Sequence, residues 1–296
     1  TGGSGLIGTE ASRFLSKNHD VTVFDFRVPS LNTIDFRIGN VERLDELVES
    51  MKGYDVVIHL AAALGVVNTE ENPIMTLDIN IIGTKNVLEA CRRNDVKKII
   101  FSSSSEIYGE PTKIPIEETD RVAPITTYGV SKVAAEEYLK TYSKTYGIKY
   151  TIFRFFNIYG ADQDNRWVVP EFVSKAIDNK DIIIHGDGSQ IRSFCYVTDA
   201  ANALSYALEK GDNEIFNIGN DAEPISITEL ANRIILLADS KSEIRYVSFE
   251  NSFRNRTEIM KRAPSIEKAK KILGYKPLTS LNDGIKMVIK RKRELK

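Results

Sequence analysis

An α/β protein with a doubly wound parallel sheet is the fold class this sequence predicts, and three observations carry that reading. The first is the opening run Thr1-Gly-Gly-Ser-Gly-Leu-Ile-Gly8, in which Gly2, Gly5 and Gly8 recur every third residue ahead of a helical pattern over residues 9–17. Glycines so spaced serve a sharp turn, a close approach of backbone to a pyrophosphate, and tight packing of a helix on a strand. The second is Val-Thr-Val-Phe-Asp at residues 21–25, a strand pattern ending in an acid. Asp25 comes close to the roughly twenty-residue spacing expected of a carboxylate that binds ribose hydroxyls. The third is an alternation of strand-like and helix-like segments as far as residue 155 or so. That is the pattern of βαβ units.

In chain order, strands are expected at residues 21–25, 34–38, 55–60, 97–102 and 150–155, and helices at 41–51, 77–94 and 127–146. The strands are short and often apolar on both faces, as in a parallel sheet covered by helices on both sides. A glycine fingerprint follows a strand, so a central strand of roughly five to eight residues is expected ahead of Gly2, outside the 296 residues. Beyond residue 160 the pattern is less regular. Helices are expected at 168–179, 198–210, 226–238, 265–273 and 281–291, strands at 181–185 and 191–197, and a turn at Gly186-Asp-Gly-Ser. Residues 215–218 are expected to return to the sheet. This Rossmann-like pattern divides the chain into a nucleotide domain over 1–160 and a smaller substrate lobe over 161–296, with a segment near 191–218 re-entering the first.

Composition removes several classes of function. Forty basic and 41 acidic residues nearly cancel, so no nucleic-acid or polyanion surface is indicated. The basic run from Lys290 to Lys296 reads as a solvated helix end. No apolar run approaches the roughly twenty residues of a membrane span. Two cysteines, Cys91 and Cys195, are too few for a disulfide framework, so a reducing cytoplasm is the default. His19, His59 and His185 are scattered, and no metal site is expected.

The chemistry concentrates in Thr126-Thr-Tyr-Gly-Val-Ser-Lys132. On a helix, Tyr128 and Lys132 share a face, which brings an ammonium toward a phenol. A nearby cation favours phenolate and makes a tyrosine, ordinarily of pKa about 10, a usable base. Upstream, Phe101-Ser-Ser-Ser-Ser-Glu-Ile-Tyr-Gly109 is an apolar strand running into hydroxyls. In doubly wound sheets, ligands sit beyond the carboxyl ends of strands. The fingerprint, Asp25, His59-Leu-Ala-Ala62 and Ser102–Ser105 all fall at such ends. Asp25 favours NAD, because it would repel the 2′-phosphate of NADP, while Arg27 leaves NADP open.

The ordered motifs resemble the extended short-chain dehydrogenase/reductase family, in its nucleotide-sugar epimerase, dehydratase and decarboxylase branch. Besides the runs above, the resemblance rests on Asp78-Ile-Asn-Ile-Ile-Gly-Thr84, Phe155-Phe-Asn-Ile-Tyr-Gly160, Gly186-Asp-Gly-Ser-Gln-Ile-Arg-Ser-Phe-Cys-Tyr-Val-Thr-Asp199, Phe216-Asn-Ile-Gly219 and Pro264-Ser-Ile-Glu-Lys-Ala-Lys270. It implies tight NAD binding and a sugar nucleotide held between the lobes. NAD would contact Gly2, Gly5, Leu6, Ile7 and Gly8, then Asp25, Arg27 and Asn40. Further along, Leu60, Ala61, Ala62, Asn80, Ser102 and Phe155 would line it, with Tyr128 and Lys132 at the nicotinamide end. Tyr128 would be the base, Lys132 would lower its pKa and bind the ribose, and Ser104 would meet the sugar's 4-oxygen. Asn157 and Arg192 would take the diphosphate and nucleotide, with Arg256 and Arg262 as candidates for a further contact.

The resemblance also implies a shared first step: loss of the C4 proton and hydride to give a 4-keto sugar, followed by epimerisation, decarboxylation or dehydration. Ser104-Ser105-Glu106 departs from the Thr-Asp-Glu of dTDP-glucose dehydratases and is similar to the Ser/Thr-Ser-Glu of UDP-glucuronate decarboxylases and GDP-mannose dehydratases. Two residues from Ser104 on an extended segment, Glu106 is expected to face the same pocket. The simplest reading is a UDP-hexose 4-epimerase. The alternatives are a UDP-glucuronate-type decarboxylase, a non-dTDP 4,6-dehydratase and, more remotely, a silent dinucleotide-sensing regulator. A homodimer is expected through the helices at 77–94 and 127–146, whose Ile79, Ile82, Leu88, Val133, Tyr138 and Tyr142 exceed what one sheet face covers.

Overall fold

In the computed structural model, which describes residues 1–31, 33–249 and 258–296, the glycine turn runs directly into helix α1 (Leu6–Leu15). Strands β1 (Thr22–Asp25), β2 (Asp35–Ile38), β3 (Val56–His59), β4 (Lys98–Ser104) and β5 (Lys149–Phe155) then alternate with helices α2 (Leu44–Ser50), α3 (Val66–Glu71), α4 (Pro73–Leu77), α5 (Gly83–Arg93) and α6 (Thr127–Tyr146). The remainder comprises β6 (Ile158–Tyr159), α7 (Val168–Ile177), β7 (Ile182–His185), β8 (Ile191–Arg192), β9 (Cys195–Tyr196), α8 (Val197–Glu209), β10 (Glu214–Ile218), β11 (Ile225–Ser226), α9 (Ile227–Ala238), β12 (Ile244–Val247), β13 (Lys261–Arg262), α10 (Glu267–Leu273) and α11 (Leu281–Glu294).

The main sheet is parallel, in the order β10-β5-β4-β3, and β1 pairs with β2 in a separate parallel ribbon. Thr1 and Gly2 lie between the two. Thr1 N donates to the Ile58 carbonyl at 2.7 Å, Leu60 N donates to the Thr1 carbonyl at 3.0 Å, and Gly2 N donates to the Phe24 carbonyl at 2.9 Å. As expected, residues near 215–218 return to the sheet, where Phe216 stands opposite Phe153.

Both faces of the sheet are covered, because successive side chains of a strand point to opposite sides. On β4, Ile99 and Phe101 face a cluster with Leu47, Val87, Leu88 and Leu139 from α2, α5 and α6. Ile100 faces the other side, with Ala11 and Leu15 of α1 and Ala200 and Leu204 of α8. A third cluster joins α7, α9 and α11 around Phe172, Leu230 and Ile285. Burying each such side chain contributes about 1.5–3 kcal/mol.

Three expected elements differ in detail. The single helix at 77–94 is α4, a π-helical turn at Asp78–Ile82, and then α5. A π turn inserts an extra residue and is often found where a side chain must be re-aimed. Here that side chain is Asn80. The strand at 191–197 breaks into β8 and β9, with Ser193 and Phe194 between them. Helix α2 begins at Leu44 rather than 41, because Asn40 spends its side chain on Glu42 in the preceding turn.

Helix α6 is capped at both ends. The Thr126 hydroxyl accepts from Gly129 N, and Gly147, in the left-handed region at φ 76°, closes the last turn. Its buried face carries Ser131, Lys132 and Glu136 among alanine and leucine. Polar residues on the inner face of a helix cost desolvation unless they are partnered, so their partners matter.

Candidate active site

The glycine turn is shaped by close approach. A side chain on Gly2, which has φ 74°, would bring its Cβ to 2.4 Å from Ala61 N, and one on Gly8 would stand 2.3 Å from the Gly2 carbonyl oxygen. Gly5 is looser at 3.3 Å. Gly5 is also the N-cap of α1, with no side-chain cap, so the first-turn N–H groups remain available to an anion. At the end of β1 the buried Asp25 carboxylate accepts from Ser4 N and from Arg27 N, both at 3.0 Å. Each of its oxygens keeps a lone pair for a ribose hydroxyl. A cradle that any Cβ would fill, an uncapped helix start and a fixed carboxylate together fit a dinucleotide.

Other expected cofactor residues are tied to the protein. Leu6 and Ile7 pack against the α7/α9/α11 cluster, and the Phe155 ring is buried between α1 and α8, so these three offer a dinucleotide little more than backbone. Asn40 is exposed in its turn, and the Arg27 guanidinium lies over the Phe26 ring at 5.3 Å. Leu60, Ala61 and Ala62 form the half-buried loop after β3 that faces Gly2. Asn80 is fully engaged: its Oδ1 accepts from Ala63 N at 2.8 Å, and its Nδ2 donates to the Ala63 carbonyl at 3.1 Å and to Ser131 Oγ at 2.9 Å. It ties the β3 loop to α6. His59 lies below, with Nε2 facing Thr84 Oγ1 at 3.0 Å and Nδ1 facing Thr1 Oγ1 at 2.7 Å. Thr84 spends its own proton on the Asn80 carbonyl, so the imidazole carries hydrogen on Nε2. Burial holds its pKa well below the usual histidine range.

Tyr128, Lys132, Ser102 and Ser104 do come together. Lys132 Nζ donates to the Ser102 carbonyl at 2.7 Å, and the Ser104 hydroxyl hydrogen-bonds Tyr128. The expected electrostatics need correcting. Burial pushes the Tyr128 phenol above its usual range and the Glu106 charge adds to this, while the Ser104 bond and Arg262 oppose it. The Lys132 ammonium stands over the Tyr128 ring, 5.6 Å from its centroid, because the Ser102 carbonyl holds it there. Lys132 is itself destabilised as a cation: burial brings it down to about 7 against the pull of Glu136.

Glu106 reaches the same place by a different route from the one expected. Residues Ser105–Tyr108 form a 3-10 turn capped by Ser104, whose hydroxyl accepts from Glu106 N at 3.2 Å. The segment is therefore not extended, because a strand cannot continue past a serine that caps a turn. The Glu106 carboxylate accepts from the Thr126 hydroxyl at 3.0 Å and pairs with Arg262 Nη1 at 3.4 Å. Arg262, on β13, has a buried Nε without a protein partner. Ser193 N donates to the Arg262 carbonyl at 3.1 Å, and Asn157, at φ 41°, donates through Nδ2 to the Ser193 carbonyl at 3.0 Å. Arg192 is turned into the protein, donating to Glu258, to the Ile191 carbonyl at 2.9 Å and to the Met260 carbonyl at 3.3 Å. Arg256 lies outside the described residues.

Sequence reasoning missed Glu136 and Arg154. Arg154 forks onto Glu136 through Nε–Oε1 at 3.0 Å and Nη2–Oε2 at 2.8 Å, and Ser103 Oγ donates to the same carboxylate at 2.6 Å. Arg154 also donates to Tyr108 OH at 2.8 Å, which donates to Asn217 Oδ1 at 2.7 Å. The signal was an arginine inside an apolar strand and an acid one turn after Lys132, since such charges are rarely buried unless paired. Among the described residues no group of three or more His, Cys, Asp or Glu is placed to hold a metal, and no helix is long and apolar enough to cross a membrane.

The family model described as "NAD dependent epimerase/dehydratase family" matches residues 1–219. A Methanocaldococcus jannaschii protein, provisionally named a UDP-glucose 4-epimerase, is 38% identical over 98% of this chain and 96% of its own length. The UDP-N-acetyl-alpha-D-glucosaminuronate decarboxylase of Bacillus cytotoxicus is 36% identical over 100% of this chain and 97% of its own. The crystal structure of the Thermotoga maritima UDP-glucose 4-epimerase with UDP-glucose superposes with a TM-score of 0.93 at 32% identity, covering 99% of this chain and 97% of that one.

Proposed function

We propose a specific chemistry for this protein, which belongs to the NAD dependent epimerase/dehydratase family: it inverts C4 of a UDP-linked hexose through a transient 4-keto sugar. The observation that carries this is the cluster of half-buried Tyr128 with buried Ser104 and Lys132 at the end of β4, the strand beside β3, whose following loop faces Gly2. NAD, when bound, takes up the C4 hydride and returns it. Tyr128 takes the proton of the C4 hydroxyl and gives it back on reduction. The Ser104 hydroxyl steadies that oxygen and favours the phenolate, as does the charge of Arg262. Lys132, held by the Ser102 carbonyl, binds the nicotinamide ribose. Gly5, the α1 N-terminus and Asp25 hold the pyrophosphate and adenine ribose, so residues 1–160 form the cofactor part. Residues 161–296 bring the substrate, whose diphosphate meets Asn157 and Arg262, with Arg192 bracing β8 behind them.

A panel of UDP-glucose, UDP-galactose, UDP-N-acetylglucosamine and UDP-glucuronate, followed by mass analysis and chromatography, tests the reading. Epimerisation changes retention and leaves mass unchanged. Decarboxylation of a UDP-uronic acid is the second reading, and the Glu106–Arg262 pair favours it. A simple 4-epimerase needs no such acid, and an arginine with an unpartnered buried Nε suits a carboxylate on C5. Loss of carbon dioxide from UDP-glucuronate in the panel would establish it.

The same reading makes the protein a homodimer through residues 77–94, which are the π turn and α5, and through α6. Ile82, Val130 and Tyr146 are 45%, 46% and 53% exposed beside the half-buried Ile79, Val133, Tyr138 and Tyr142. Leu88, expected on this face, is instead wholly buried under the sheet. Light scattering at micromolar concentration checks it, and a monomer mass rejects it. Two buried thiols, Cys91 and Cys195, neither in a disulfide, fit a reducing cytoplasm.

A further inference from the structure

Glu136 takes no part in the reaction above, yet two side chains hold its buried carboxylate in one place through three hydrogen bonds. It stands one helical turn after Lys132, which stands one turn after Tyr128. Three consecutive serines of β4 meet that series: the Ser102 carbonyl takes the Lys132 ammonium, the Ser103 hydroxyl donates to Glu136, and the Ser104 hydroxyl bonds Tyr128. From β5, Arg154 forks onto the same carboxylate at 2.8 and 3.0 Å. We infer that Glu136 is a positioning residue whose fixed negative charge keeps the Lys132 ammonium charged and directed at the end of β4, an inference that rests on the roles given to Tyr128 and Lys132 above.

A brace alone would not need these charges. Buried ion pairs often contribute little net stability, and apolar replacements of similar volume are frequently neutral. What the pair adds here is an anion one helical turn from a buried cation. Glu136 is the group that opposes the effect of burial on Lys132. The other titratable or charged groups around Lys132 are few. Tyr128 lies on its own helix, His59 at the end of β3 is held neutral by burial, and Arg154 lies on β5 beyond Glu136. Glu106, on the 3-10 turn, and Arg262 act on Tyr128. Asp78, on the π turn, is exposed, and α4 carries no ionisable side chain. Ser103 and Arg154 hold Glu136 so that its charge falls on Lys132 instead of turning to solvent.

The sign follows. Removing the Glu136 charge makes Lys132 lose its proton at lower pH, and removing Arg154 while keeping Glu136 makes it hold the proton to higher pH. A lost brace cannot produce opposite shifts. The test is the affinity of the full chain for NADH, read by the fluorescence of the bound nucleotide from pH 6 to 9. Native affinity should fall as pH rises through the Lys132 transition. In Glu136→Gln that fall should move down by about one pH unit, and in Arg154→Met it should move up, as expected for a charge one helical turn away. Shifts in the same direction, or none in either variant, overturn the inference. If a single variant does not fold, the double variant Glu136→Gln/Arg154→Met leaves no lone buried charge. Its fall should still lie below the native one, and an unshifted profile overturns the inference. A native protein that binds NADH but converts no sugar nucleotide ends the reaction reading alone, while the affinity profiles still decide the role of Glu136. A native protein that binds no NADH at any pH overturns both.

Discussion

Around the glycine turn, polar side chains close on the protein itself. Asp25 takes two backbone N–H groups, Asn80 makes three hydrogen bonds to the β3 loop and Ser131, and Lys132 sits on a carbonyl. Around Arg262 the accounting is incomplete: Arg262 Nε and Ser193 Oγ are buried without partners, and Glu106 touches Arg262 at only 3.4 Å. Unmade hydrogen bonds at buried atoms are costly, so each such atom calls for a partner. The difference teaches that one side of the site is a frame closed on itself and the other a looser side with buried atoms unpartnered. Under the reading proposed above, the choice among epimerisation and its alternatives falls to the looser side.

The contrast can be broken most directly at Tyr128. Tyr128→Phe should lower turnover by roughly 10²–10⁴ while NADH binding and thermal stability stay near native, as expected for loss of a general base. Near-native steady-state rates in the purified variant would remove Tyr128 from the chemistry. Next in size is the rigid frame. Arg154→Met leaves the Glu136 carboxylate buried and unpaired and should cost about 3–5 kcal/mol in urea unfolding. A loss under 1 kcal/mol would mean that the frame does not depend on the pair.

Lys132 gives a smaller effect with a definite sign. Its folded pKa of about 7 lies below the unfolded value near 10.4, so between these the unfolded chain binds the extra proton. Its contribution to stability is therefore lowest below pH 7 and rises as pH increases toward 10. Lys132→Met should stabilise the cofactor-free protein near pH 6 and flatten that rise, while weakening NADH binding. A melting temperature for the variant below native at pH 6 would contradict the burial cost. The smallest expected effect lies on the looser side. In a 4-epimerase, Glu106→Gln should change turnover by less than about tenfold, since no step there requires the acid. A stalled mixture with NADH absorbance near 340 nm and a 4-keto sugar would instead favour the decarboxylase reading.

The fingerprint, Asp25 at a strand end, the Tyr128–Lys132 spacing and the alternation of strands and helices were legible because each depends on neighbours within one element or one βαβ unit. Glycine at positions 2 and 8 follows from backbone approach, and the shared face of Tyr128 and Lys132 follows from helical period alone. Element ends were read less well, as with Leu44, because a capping side chain outcompetes periodicity. The sequence also assigned Lys132 the leading effect on Tyr128, whereas in the packed molecule burial raises the phenol and it is Ser104 and Arg262 that oppose the rise. Nor could spacing foretell that Glu106 sits in a 3-10 turn, that Arg262 meets it from 156 residues away, or that Ser103 and Arg154 close on Glu136. Those contacts join β4, β5, α6 and β13, whose separations along the chain exceed any local period. Only the folded sheet and the helix on its face decide which charges meet.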